Sequence, residues 1–131
     1  MSNPVDDSRA ELVAVLSTIP GIGRVFDYVP ETFVPPCAFI VPSLSGAYVE
    51  QGTTFGSVVV RFQVRVLVKA GTNESEDKAL GAIIDAALPL LIADGWQDIS
   101  FGAPVTYEWG SGNAVRGFPG VPITLSNQYK L

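Results

Sequence analysis

Few residue types carry out chemistry in proteins, and this chain is short of most of them. It has 131 residues and no histidine, so the commonest general base and metal ligand is missing. Its one cysteine, Cys37, has no histidine to activate it and no second thiol with which to bridge or bind zinc. Cys37 stands inside the apolar run PPCAFIV, which predicts a buried small hydrophobe. Ser–Lys and paired-carboxylate mechanisms remain open on paper. The adjacent acids Glu76 and Asp77 fall at the start of a predicted helix, where complementing the dipole accounts for them. Gly21-Ile22-Gly23 matches the first half of a dinucleotide loop, but Phe26 occupies the third glycine position and the loop follows a helix. Asn73-Glu74-Ser75 fits a glycosylation sequon, yet no leader predicts secretion, and helix capping accounts for it. We expect no catalytic residue, no metal and no cofactor.

Two other groups of residues suit binding. Arg61, Gln63, Arg65 and Lys69 recur at every second or fourth position, so an extended chain presents them on one face. Val59 and Leu67 share that face, which predicts a subunit interface or a ring lumen as well as a solvated surface. The segments Tyr48–Phe55 and Gly110–Phe118 combine turn residues with the large aromatics Tyr48, Phe55 and Phe118, and the second also carries Arg116. Turn residues place a segment at the surface, whereas aromatics are enriched in interface cores. These four residues are therefore expected to contact a partner, the alternative being that the aromatics fold back on their own domain.

The elements that would position these groups can be read from periodicity. Residues 8–18 predict a helix, with Ser8 and Glu11 at capping-box spacing and Leu12, Val15, Leu16 and Ile19 as its apolar stripe. Pro20-Gly21 ends it. Residues 22–29, 37–41 and 47–50 predict short strands separated by proline-rich connections. From Val58 to Lys69 the chain alternates strictly, with Val58, Val60, Phe62, Val64, Val66 and Val68 on one side. This is the firmest strand, about 40 Å long. Residues 74–93 predict a second helix, capped by Asn73 and Glu76, with a kink or break at Pro89. Residues 96–101, 105–109 and 121–129 predict the last strands, and the glycines of 110–120 predict a loop. The expectation is one α+β domain over residues 1–131, a mixed or antiparallel sheet with both helices packed on one face.

Composition narrows the function classes. Hydrophobic residues make up 47% and charged residues 16%, against about 25% charged in an average domain. Apolar surface should remain on the folded subunit, and such surface is usually covered by a partner. The net charge of -5 argues against a general nucleic-acid binder. No secretory leader is expected at the N-terminus. The most apolar stretch, 79–93, contains Asp85 and Pro89 and falls short of the about 20 residues a bilayer span needs.

From Leu16 to Val41 the chain reads LSTIPGIGRVFDYVPETFVPPCAFIV. This resembles the N-terminal part of tail-terminator proteins of long-tailed, non-contractile bacteriophages. There a first helix ends in glycine, an R-V-x-D-Y-like strand follows, and a Pro-Glu-x-x-x-Pro-Pro segment leads into an apolar strand. Arg24-Val25-Phe26-Asp27-Tyr28, Pro30-Glu31 and Pro35-Pro36 fill those places here. The order of elements is similar over nearly the whole chain, and the specific residues cover about a quarter of it. The resemblance implies a non-enzymatic homo-oligomeric ring, commonly a hexamer, that caps the finished tail tube. Its partners would be further copies of itself, the tail tube protein and a head-completion or connector protein. Viral DNA would only pass through the lumen, and no membrane would be involved. Assembly would take place in the host cytoplasm and the final location would be the tail–neck junction of the virion. A head-completion protein of the neck, or a small ligand-binding α+β domain, remains open as an alternative.

Overall fold

The computed structural model describes residues 3–43, 46–53, 55–109 and 116–131. The order of elements is α1 (Pro4–Leu16), β1 (Arg24–Phe26), β2 (Cys37–Pro42), β3 (Val49–Gln51), β4 (Ser57–Leu67), α2 (Asn73–Ala93), β5 (Gln97–Phe101), β6 (Val105–Trp109) and β7 (Arg116–Lys130).

The alternating stretch becomes β4, which runs through the centre of one seven-stranded sheet. Along one edge it pairs antiparallel with β2 and then β3, and along the other with β7, from Ser57↔Lys130 to Leu67↔Gly120. β1 adds to β2 in parallel. β5 and β6 pair in succession with the far edge of β7. The result is a single α+β domain with a mixed sheet and two helices packed against it.

Val60, Phe62, Val64 and Val66 are fully buried. They meet Ala38 and Ile40 of β2, Val121, Ile123 and Leu125 of β7, and the helix residues Leu12, Leu16, Leu80, Ile83, Ala87 and Leu91. The α1 stripe therefore reaches this core through Leu12 and Leu16, with Ile19 following just beyond the helix. Strand pleating puts alternate side chains on one side, so the apolar row of β4, with its neighbours on β2 and β7, makes one surface for both helices.

Several sequence expectations require correction. α1 begins at Pro4, four residues before the capping box at Ser8, with Pro in its first turn and Asp6 and Asp7 complementing the dipole. Ser8 is no cap: it is buried, and its hydroxyl accepts a 2.9 Å hydrogen bond from Asn127 Nδ2 on β7. In α2 the cap is Thr72 and not Asn73, with Thr72 Oγ1 accepting from Ser75 N at 3.1 Å. Glu76 reaches back to accept from Gly71 N at 2.9 Å. The helix runs on through Pro89 to Ala93, so no break occurs there. β7 starts at Arg116, making strand of residues 116–120 that the glycines had suggested were loop. Gly120 is required by close packing, since a Cβ there would lie 2.5 Å from the Val66 carbonyl oxygen.

Candidate functional site

The side of the sheet away from the helices carries the odd-numbered residues of β4. This face divides into two halves. Towards the end of β4, Leu67 is buried with Cys37, Phe39 and Val41 of β2. Phe26, Phe33, Tyr107, Trp109 and Phe118 pack over them. Phe33 is the hub, with ring centroids 5.1 Å from both Trp109 and Phe118 and 6.2 Å from Phe39. Trp109 Nε1 donates to the Glu31 carbonyl at 3.3 Å, tying the β6–β7 hairpin to the segment that follows β1. The hairpin reaches past the end of β4, because β7 residues 116–119 precede the Leu67↔Gly120 pair. Its tip, residues 110–115, lies outside the described residues, as does Thr54 of the other predicted contact loop.

The other half of this face is polar. Arg61, Gln63 and Arg65 stand half-buried in a row. Arg61 forms an ion pair with Glu50 and donates to the Ala47 carbonyl at 3.3 Å. Arg65 Nε donates to Gln63 Oε1 at 3.1 Å, and its guanidinium lies 5.5 Å from the centre of the Tyr107 ring. Arg61, Ser43, Asp98, Thr124 and Ser126 border a hollow of about 210 Å³. Asp98, at φ 52° in a bulge of β5, places its carboxylate 3.0 Å from Ser126 Oγ. The arginine row thus abuts the aromatic cluster at Arg65 and Tyr107. Burial raises the Tyr107 phenol pKa, partly offset by the nearby Arg65 charge.

The predicted site residues divide accordingly. Arg61, Gln63 and Arg65 come together. Lys69 does not join them: β4 ends at Leu67, and Lys69 instead lines a cleft against α2 with Ala79, Ala82 and Ile83. Of the contact-loop residues, Tyr48 turns inward. Its ring packs edge-on against Phe62, with centroids 5.8 Å apart, and its hydroxyl accepts from Arg9 at 2.8 Å. Phe118 likewise joins the aromatic cluster, while Arg116 is exposed on the hairpin. Of the three aromatics Phe55 alone stands out, 94% exposed. For Tyr48 and Phe118 the fold-back alternative is the one realised, because each finds an apolar ring within its own domain.

Sequence reasoning passed over Arg9. It is 7% exposed, donates through Nη1 to the Asp27 carbonyl at 2.6 Å, and lies between the rings of Tyr28 at 4.4 Å and Phe62 at 5.2 Å. Its Nε is buried without a hydrogen-bond partner. The only hint in the sequence was a charge three positions before the stripe residue Leu12, on the same helix face. Cys37 is buried, and burial pushes its thiol pKa up to about 11. Among the described residues no three metal-ligating side chains cluster, and no helix is long and apolar enough to cross a membrane. No protein-family model and no curated protein matches the chain.

Proposed function

We propose that the chain is a structural subunit that assembles into a ring closing the end of a bacteriophage tail tube, and that it performs no catalysis. The resemblance over Leu16–Val41 supplies the tail-terminator reading. The observation that best supports assembly is the divided outer face of the sheet, where Arg61, Gln63 and Arg65 are held half-buried beside an aromatic cluster. Each arginine is oriented by a neighbour, Arg61 by Glu50 and Arg65 by Gln63. A fixed polar row bordered by apolar groups suits a subunit contact or lumen wall, because its side chains lose little further freedom when a partner arrives. Among the described residues the outer edges of β1 and of β5–β6 pair with no further strand, and they add backbone groups that a neighbouring subunit can satisfy.

Mass measurement of the purified protein across a concentration series, with electron microscopy of the same sample and of a mixture with tail tubes, tests the proposal. Closed rings that seat on tube ends are expected. A monomer at every concentration that leaves tubes uncapped defeats it. The cleft beside Lys69 gives the ligand-binding alternative its one specific support, and a monomer carrying a stoichiometric small molecule would favour that reading. Rings that seat on the head connector but never on tubes would favour the head-completion role.

A further inference from the structure

Resting on the ring reading, we infer that neighbouring subunits are joined by a knob and a hole, Phe55 of one copy entering the cleft beside Lys69 of the next. Phe55 sits in the turn between β3 and β4, where Gly52 N donates to the Ser57 carbonyl at 2.9 Å and Gly56 turns the chain at φ 78°. The turn pushes the phenyl ring outward, leaving it 94% exposed, the most exposed of the large hydrophobic side chains described. Leu131, whose N–H donates to the Gly56 carbonyl at 2.8 Å, adds a second exposed apolar side chain beside it.

The hole lies at the opposite end of the same strand. It is a cleft of about 390 Å³ whose wall includes Gly21, Pro36, Val68, Ala79, Ala82 and Ile83. A dry cavity of about 150 Å³ already accepts a benzene ring, so a phenyl group fits with room for its flanking residues. Polar groups in the cleft are few. Ser75 Oγ already donates to the Thr72 carbonyl at 3.0 Å, and Lys69 stands exposed at the rim. A polar small molecule would find few partners here, whereas an aromatic side chain needs none. Charge also favours a second copy, since Glu50 lies on the knob side, half-exposed, and while one carboxylate oxygen holds Arg61 the other can face the Lys69 ammonium across the joint.

Knob and hole are separated by the 11 residues of β4, about 36 Å at 3.3 Å per residue. One subunit therefore cannot fill its own hole. Two different patches that meet head to tail make a heterologous contact, which closes into a ring when the rotation between copies allows. A buried phenylalanine accounts for about 150–250 Å², against about 800 Å² per partner in a standard interface. Phe55 is thus the anchor of the contact, and the arginine face or a sheet edge supplies the remaining area.

The test uses two variants of the full chain. Phe55→Ser removes the knob, and Ala82→Phe fills the hole from an exposed position on α2. Each is expected to raise the concentration for half-assembly by about 30-fold or more, as loss of an interface anchor does, with the thermal melt of the subunit unchanged. Phe55→Trp is expected to retain assembly. The two defective variants, mixed, are expected to form a one-to-one dimer, because the first keeps a working hole and the second a working knob. Assembly of Phe55→Ser at the native concentration overturns the inference while leaving the ring intact. A native protein that never assembles overturns both.

Discussion

The two faces of the sheet are built from the same strands by different rules. On the helix side, β4 presents Val60, Phe62, Val64 and Val66, all fully buried. Two helices cover them along most of the strand, and the only demand on those side chains is that they be apolar and fit. On the other side no helix is available among the described residues. Its covering is improvised from the segment after β1 and from the β6–β7 hairpin, and it reaches only as far as Phe33, Trp109 and Phe118 extend. Beyond that limit the face turns to arginine and glutamine. Stability is thus concentrated on one face, and freedom to meet a partner on the other.

Phenylalanine substitutions should expose this asymmetry most clearly. Phe62→Ala is expected to lower unfolding free energy by about 3–5 kcal/mol, the usual cost of emptying a core phenylalanine site. Phe33→Ala, half-buried, should lose only about 1–2 kcal/mol. Denaturant titration measures both, and equal losses would mean that the faces form one cooperative core. Ser8→Ala strips the acceptor from the Asn127 amide at the α1–β7 contact. It is expected to cost about 0.5–1.5 kcal/mol, the net worth of a typical hydrogen bond, because the Asn127 amide is only half-buried.

Converting Arg61, Arg65 and Lys69 together to serine probes the outer face. Partly exposed ion pairs contribute about 0–1 kcal/mol each, so subunit stability should barely move while the oligomer distribution shifts. An unchanged distribution would make this face plain surface. Because Lys69 lies apart from the two arginines, an Arg61/Arg65 pair variant should reproduce the part of the shift due to the face itself.

The smallest effect concerns acidity. Glu11 on α1 has a raised pKa, from burial first and then from the neighbouring Asp94 carboxylate. The folded state therefore holds this proton more tightly than the unfolded chain, and stability falls as pH rises from about 4.5 through the raised value. Glu11→Gln should flatten that part of a stability-against-pH curve, and a curve unaltered by the substitution would show the two acids to be uncoupled.

The helix-side core could be read from the chain because strict alternation on β4 and the Leu12–Leu16 stripe are local patterns with one interpretation. The start of α1 was displaced because Ser8, which the capping-box spacing marks, is drawn inward by Asn127 of β7, a partner 119 positions away, while Pro4 sets the first turn. The outer aromatic cluster stayed hidden for a similar reason. Its members come from four separate stretches, and each alone resembles a turn or a strand end. One signal was present. Cys37 to Val41 is apolar at every position, which requires both faces of that strand to be covered, and Leu67 was the matching position on β4. The folding back of Tyr48 and Phe118 depends on rings supplied by Phe62 and Phe33, contacts that no spacing within either loop encodes.

Cys37 lies beneath that improvised covering, in the seam where β2 meets β4. Its thiol is shut away and held in the unreactive protonated form. A thiol-labelling reagent must wait for the aromatic flap to lift or the seam to part. The rate of its reaction would therefore keep time on how often this side of the molecule opens. Slowing of that clock when a partner settles on the outer face would report the contact from inside the subunit, with no label added to the surface.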